Sequence, residues 1–483
     1  MASIHELDTM FHPKTIAIVG AKRMNPAQGW LGMLAMIRLF GFPGRIYPIN
    51  PNATEVDGLK AYPSLASVPE PIDLVIISVP ASAVPDALKD CIASGNRNVH
   101  IFTAGFKETG EEEGVRLQHE IEQIAQSGGL RVVGPNCMGL YVPKARLVTW
   151  APASAESGSV AFVTQSGGHA GDFANYASQF GIRFSKVISY GNAITLDSTD
   201  FLEYLAQDAE TSIITMYLEG VKDGSKLLRL VKEINRNKPV IVMKGGLTES
   251  GTRAVASHTG SLAGGEYVWG AFFKQSGAVQ VTSLVDISDV TQAFLHLRPP
   301  QGRRVAIVGT GGGISVGGAD ACAREGLEVP TLTPETRKEL RGFIPIAGQS
   351  IMNPIDAHMV LIDISLLERT LDLVSADPLI DIIVVYLHLD WLYDMDQGAH
   401  IAKLGTYLAG SARDHMHDKP YVVSCGYYRN QNGLEQANRM LQKELLGAGV
   451  PFYHGLARAA RALAKLAEYH QFHREGRQQA YLP

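Results

Sequence analysis

The sequence predicts an α/β protein built as three consecutive Rossmann-like or flavodoxin-like domains, each a doubly wound parallel sheet. Three observations predict it. Short β-branched runs alternate with amphipathic helical stretches along nearly the whole chain. The opening strand recurs twice in near copy: Ile16-Ala-Ile-Val-Gly20, Val160-Ala-Phe-Val-Thr164 and Val305-Ala-Ile-Val-Gly309. Linker-like breaks at Ala151–Gly158 and Leu297–Gly302 precede the second and third copies. A length of 483 residues also suits about three domains. The expected domains are residues 1–150, 158–298 and 303–483.

In the first domain, strands are expected at Thr15–Gly20, Arg45–Asn50, Ile72–Val79, Val99–Thr103 and Arg131–Val133, with a helix at Trp30–Phe40. The second domain has Ser159–Thr164, Phe184–Tyr190, Ser212–Leu218 and Pro239–Met243. The helix after its first strand keeps Ala170, Phe173, Ala174, Ala177 and Phe180 on one face, the helical repeat. The third domain continues with strands at Asp381–Leu387 and Tyr421–Ser424. Asn353-Pro-Ile-Asp356 reads as turn punctuation, and Ala457–Tyr469 as a basic amphipathic helix on the solvated surface.

Composition narrows the function. The chain is 46% hydrophobic and 19% charged, with a net charge of −5, which gives no reason to expect a nucleic-acid or anionic-membrane partner. No apolar run is long enough to span a bilayer, and Met1–Asp8 lacks the basic and apolar regions of a signal peptide. The four cysteines are far apart and show neither metal-ligand nor disulfide spacing, so a cytoplasmic location is expected.

In doubly wound sheets, ligands bind beyond the carboxyl ends of the strands. In the first domain those ends carry Gly20-Ala-Lys-Arg23, Asn50, Ser78-Val79-Pro80 and Thr103-Ala104. Several are small or glycine-rich, as a phosphate-bearing ligand requires. No GxGxxG follows the first strand, which disfavours a nicotinamide cofactor; no Walker A loop, HExxH or kinase signature occurs either. In the second domain, Gln165-Ser-Gly-Gly168 joins a strand to a helix. Its N–H groups suit an anion, with N-capping by Ser166 the plain alternative. Glu219 ends another strand of that domain. His258 lies in a stretch of small and hydroxyl residues, Ala254–Gly265, read as a polar loop, with Thr259 and Gly260 beside it. A strand-end carboxylate fixes an imidazole tautomer and raises its basicity, although a solvent-facing acid explains Glu219 as well. The glycine-rich turn Gly309–Gly313 is a weaker anion signal.

Taken together these residues resemble a family. Pro13–Ala21, Gly41–Pro51, Thr103–Phe106, Gly134-Pro-Asn-Cys-Met-Gly139, Thr164–Gly167, Tyr217–Gly220 and Ala256–Gly264 stand in the order found in the alpha subunit of NDP-forming acyl-CoA synthetases. That superfamily includes succinyl-CoA synthetase, and the ADP-forming acetyl-CoA synthetases are the sub-type resembled here. The resemblance implies an acid–thiol ligase subunit that makes an acyl-CoA from a carboxylate, CoA and a nucleoside triphosphate. It implies CoA at Gly20–Arg23, Asn50, Ser78–Pro80, Thr103 and Ala104. His258 would carry a phosphoryl group, oriented by Glu219, with Gln165–Gly168, Thr259 and Gly260 around the phosphate. The Mg-nucleotide would sit on a separate ATP-grasp beta subunit, in a hetero-oligomer. Asn52 replaces a lysine common in relatives, Gly191-Asn-Ala-Ile-Thr195 departs from their Gly-Asn-x-Ala-Asp, and Gly171 replaces a substrate-contacting tyrosine, which implies an acid other than succinate. A CoA transferase and a non-catalytic acyl-CoA sensor remain alternatives on the same scaffold.

Overall fold

The computed structural model describes residues 5–22, 32–151, 154–259, 265–309, 311–414 and 419–480, with side chains for all except 256–259, 412–414 and 477–480. The first sheet is built from β1 (Thr15–Val19), β2 (Arg45–Ile49), β5 (Leu74–Ile77), β6 (Asn98–Ile101) and β7 (Arg131–Val133); a small hairpin, β3 (Glu55–Val56) and β4 (Leu59–Lys60), lies apart from it. The order β2-β1-β5-β6-β7 is parallel throughout, as the sequence predicts. Alternation along β1 sends Ile16 and Ile18 to one buried face and Ala17 to the other, so both faces are covered.

The second sheet contains β8 (Gly139–Val142), β9 (Leu147–Val148), β10 (Val160–Thr164), β11 (Phe184–Ser189), β12 (Ile213–Leu218), β13 (Val240–Lys244) and β14 (Val279–Val281). Its order is β14-β13-β12-β10-β11-β8-β9, parallel apart from the antiparallel β8 and β9 at one edge. In both sheets the chain leaves the first strand to one side and later returns on the other. The order therefore reverses between β1 and β5, and again between β10 and β12, where a crevice opens beyond the strand ends.

These two sheets share one compact unit (residues 1–178 and 182–284) and one apolar cluster that runs from Ile16, Leu74 and Val133 to Val163, Ile188 and Ile214. Backbone hydrogen bonds join them as well. The N–H groups of Asn192, Ile194 and Leu196, in the loop after β11, donate to the carbonyls of Pro135, Gly134 and Val132. The Asn192 amide donates to Glu108 Oε2 (2.6 Å) and Gln118 Oε1 (2.8 Å), while Glu108 Oε1 accepts the N–H groups of Gly105 and Phe106.

The third sheet belongs to the other unit (residues 179–181 and 285–483). It holds β15 (Val305–Gly309), β16 (Ser350–Ile351), β17 (Ile355–Asp356), β18 (Ile382–His388), β19 (Tyr421–Gly426) and β20 (Phe452–His454) in the order β16-β17-β15-β18-β19-β20. Two expectations fail here. Asn353–Asp356 is more than a turn, because Ile355–Asp356 pairs with β15. The Asn353 side chain accepts from Ile307 N and donates to the Val305 and Pro330 carbonyls, which ties this segment into the sheet. The C-terminal helix runs from Leu456 to Ala480 and is not a solvated surface element: Ala459, Ala460, Ala462, Leu463, Ala464, Leu466 and Ala467 are all buried. Small alanines allow close packing on more than one side, and two of the helix's basic residues meet buried acids, Arg458 with Asp289 and Arg461 with Asp286. No helix among the described residues is long and apolar enough to cross a membrane. All four cysteines are buried and free.

Lys186, on β11, is fully buried and bonds Asp208 (2.8 Å) and Glu210 (3.1 Å), its ammonium 5.6 Å from the Tyr204 ring centre. Burial opposes ionisation of both acids, yet hydrogen bonds to Lys186 and to other donors hold them below the usual carboxylate range. Removing one member of a buried pair leaves uncompensated charge and costs about 3–5 kcal/mol. Lys186→Met is therefore expected to lower the urea midpoint, with an unfolding free energy smaller by that order, and an unchanged midpoint would refute the cluster's structural role.

Candidate active site

Parallel pairing of Thr164 with Tyr217 brings Gln165, just past β10, level with Leu218. From there the Gln165 side chain crosses the crevice of the second sheet. Its Oε1 accepts the N–H groups of both Glu219 (2.5 Å) and Gly220 (3.0 Å). The chain beyond β12 is thereby fixed, and Glu219 is left only 4% exposed.

Neighbouring strands supply the remaining polar shell. Tyr217 donates its hydroxyl to Glu219 Oε1 (3.2 Å), and Lys244, at the end of β13, donates to the Glu219 carbonyl (2.9 Å) and to that of Gly245. Burial lowers the Lys244 pKa to about 8, with Glu219 pulling the other way. The Lys244 ammonium also lies 5.1 Å from the Trp269 ring centre. His169 packs its ring edge-on against Tyr217, 4.3 Å between centroids.

The Gln165–Gly168 turn has the predicted form. Ser166 N–H donates to Thr164 Oγ1 (3.1 Å), and Ser166 Oγ accepts the His169 N–H (3.3 Å), so capping by Ser166 is present. The helix Gly167–Gln179 starts at the two glycines, whose N–H groups precede the first intrahelical acceptor and point out of its positive end. Capping and anion binding are compatible here, because the cap takes only one of the first N–H groups.

The sequence expects His258 in a loop, but the chain is helical from Glu249 to Thr259. Thr248 Oγ1 accepts the Gly251 N–H, and Glu249 pairs with Arg253 one turn on (2.7 Å). These local contacts outweigh the small-residue composition that suggests a loop. The side chains of His258 and Thr259, and all of Gly260, lie outside the described residues. The helix itself packs beside the Lys107–Thr109 turn, at the carboxyl edge of the first sheet.

That edge gathers the residues expected around CoA. Gly20 adopts φ +85°, and a Cβ there would lie 2.6 Å from the Ser78 carbonyl oxygen and 2.7 Å from Val79 Cγ1, so only glycine lets the ends of β1 and β5 meet. Asn50 donates to the Ala21 carbonyl and accepts from Asn52 N–H, both at 2.9 Å; its side chain shapes the rim. Thr103 donates to the Val79 carbonyl (2.6 Å). Pro80 and Ala104 are exposed along the same edge, as is Lys22, while Arg23 lies outside the described residues. Between this edge and the Gln165–Gly220 clamp is a cleft of about 340 Å³ lined by Lys107, Gln118, Tyr190, Asn192 and Lys222 among others.

The Gly309–Gly313 turn lies at the corresponding reversal of the third sheet, where Asp356 Oδ1 takes the Gly311 N–H (2.7 Å). Gly313-Ile-Ser-Val-Gly317 has the spacing of a hydrolase elbow, but Ser315 sits within the helix Gly312–Arg324 and not on a strand-to-helix turn. Sequence reasoning did not assign roles to Tyr217, Lys244 or His169. The available signal was position: the first two end or nearly end strands of the Glu219 sheet, and His169 follows the glycine pair of the turn.

Comparison with known proteins shows the family. Residues 14–143 match the family model of a CoA binding domain, 157–294 that of the succinyl-CoA ligase like flavodoxin domain, and 305–450 that of a Ligase-CoA domain. The chain is 36% identical to the alpha subunit of an ADP-forming acetate–CoA ligase II of Pyrococcus furiosus, over 96% of this chain and 98% of that one. It is 35% identical to an ADP-forming acetate–CoA ligase I of Archaeoglobus fulgidus over 96% of this chain, and spans 64% of that longer protein. A solved acetyl-coenzyme A synthetase 1 of Ca. Korarchaeum cryptofilum, in complex with phosphate and ADP, superposes with a TM-score of 0.83 at 31% identity, covering 99% of this chain and 100% of that one. With matches of this strength over nearly its whole length, the chain belongs to the family of ADP-forming acetate–CoA ligases.

Proposed function

We propose that this chain is the alpha subunit of an NDP-forming acyl-CoA synthetase, which makes an acyl-CoA from a carboxylate, CoA and a nucleoside triphosphate in a reversible reaction. The observation that carries the proposal is the buried Glu219, whose main-chain N–H is held by Gln165 beside the anion-attracting start of a helix.

On this reading the reaction runs in three displacements. A His258 ring nitrogen attacks the terminal phosphorus of the nucleotide; an N–P bond forms and the bond to the departing ADP oxygen breaks. A carboxylate oxygen of the acid then attacks that phosphorus, releasing the imidazole and giving an acyl phosphate. Finally the CoA sulfur, having lost its proton, attacks the acyl carbon, and phosphate leaves. A covalent histidine intermediate divides one difficult exchange into easier steps. Glu219 accepts the N–H on the other side of the His258 ring and stabilises the charge that develops there. The N–H groups at Gln165–Gly168, with Thr259 and Gly260, hold the phosphoryl oxygens, electrostatic help that needs no reorganisation during the reaction.

CoA lies along Gly20–Arg23, Asn50, Ser78–Pro80, Thr103 and Ala104, with its thiol end toward the cleft. The cleft takes the carboxylic acid, with Gln118, Asn192 and Lys222 as polar walls. ATP-grasp chemistry and the Mg-nucleotide belong to a beta subunit; the relative named as a subunit alpha supports such a partner. The cytoplasm is the fitting compartment. Because the named relatives are ligases, the CoA transferase and sensor alternatives have no support from them.

Mixed with its ATP-grasp partner and labelled Mg-ATP, the chain is expected to gain an acid-labile, base-stable phosphate that is absent from His258→Ala. Glu219→Gln should slow the labelling by about 100-fold, the scale on which such an orienting partner acts. Equal labelling of wild type and His258→Ala would refute the mechanism. Gly20→Ala forces a strained backbone costing ~1–3 kcal/mol, so calorimetry is expected to find CoA binding weaker by about tenfold or more. Unchanged affinity would remove Gly20 from the CoA site.

A further inference from the structure

The proposed reaction leaves one imaginable participant unused: the imidazole of His169. It occupies the first turn of the helix Gly167–Gln179, immediately after the anion turn. Its ring edge meets Tyr217, whose hydroxyl donates to Glu219 Oε1, so His169 and the carboxylate are joined through one shared tyrosine. His169 Nδ1 is buried and has no hydrogen-bond partner among the described residues.

We propose that His169 is a positioning residue for phosphoryl transfer, acting on His258 through the shared carboxylate of Glu219. While neutral, the ring screens that carboxylate from water and leaves its charge to His258. Once protonated, it becomes a competing cation beside Glu219, and the carboxylate supports His258 less. This inference rests on the reading that His258 accepts the phosphoryl group and Glu219 orients it.

The groups facing the ring set the pH at which this happens. Burial lowers the His169 pKa, while Glu219, just past β12, and Asp172 on its own helix raise it. Tyr217, on β12, packs directly against the ring, and the Lys244 ammonium on β13 bonds the Glu219 carbonyl, on the main chain. The ring is therefore mostly neutral at neutral pH and takes up its proton only on acidification.

The test is the initial rate of His258 phosphorylation in the assembled complex, measured from about pH 5 to about pH 8. In the wild type, protonation of His258 gives a limb of unit logarithmic slope, and protonation of His169 is expected to steepen it above one. In His169→Leu, which fills similar space without titrating, the slope should fall to one. An unchanged slope would overturn the proposal, and so would a uniform loss of rate at every pH, which is what a packing role alone gives.

A second measurement separates this proposal from the reading beneath it. Titration of the His169 ring by nitrogen-15 NMR should give a lower midpoint in Glu219→Gln, because a raising carboxylate has been removed. An unmoved midpoint would break the link between His169 and Glu219, whatever the phosphorylation result. A wild type that takes up no label while the midpoint does move would instead overturn the role of His258.

Discussion

A single side-chain oxygen holds the second sheet's crevice in shape. Gln165 Oε1 accepts two successive main-chain N–H groups, those of Glu219 and Gly220, at the point where the strand order reverses. Strands part at such a point, so the backbone just beyond them has no neighbouring strand to satisfy it. A buried N–H left without an acceptor costs about 1–3 kcal/mol, and the glutamine removes that cost twice. The same contact fixes the direction in which Glu219 leaves its strand. Tyr217 then donates to a carboxylate whose place is already set, while Lys244 holds the Glu219 main-chain carbonyl and His169 packs against Tyr217.

The first sheet solves a related problem with glycine. At its reversal, between β1 and β5, Gly20 lets the two strand ends close together, and the rim is finished by Asn50 and Thr103. Because the two sheets share an apolar core and the Asn192–Glu108–Gln118 network, the two reversal points are parts of one rigid frame. On the proposed mechanism, a thiol carried by the first and a phosphoryl group carried by the second need such a frame, since displacement at an acyl carbon depends on close approach in a defined direction.

Much of this was legible in the sequence. The three near-identical strands announce three parallel sheets, and Gln165, Glu219 and Gly20 stand out because each ends a strand beside small residues. What periodicity does not carry is contact across strands. Lys244 becomes a neighbour of Glu219 only through sheet register, and His169 meets Tyr217 only through the way its helix lies over β12. Local composition also misled: the small residues before His258 suggest a loop, whereas a threonine cap and an ion pair make helix. Around Asn353 and along the C-terminal helix, tertiary partners decide the outcome: the carbonyls that Asn353 binds, and the acids that neutralise Arg458 and Arg461.

The central claim is that the Gln165 clamp makes Glu219 useful to His258. Gln165→Leu tests it most directly, since leucine has a similar size but accepts no hydrogen bond. Assembled with its ATP-grasp partner and Mg-ATP, this variant is expected to phosphorylate His258 about 100-fold more slowly than wild type, the scale of a lost orienting contact. A wild-type labelling rate in a folded Gln165→Leu protein would contradict the account.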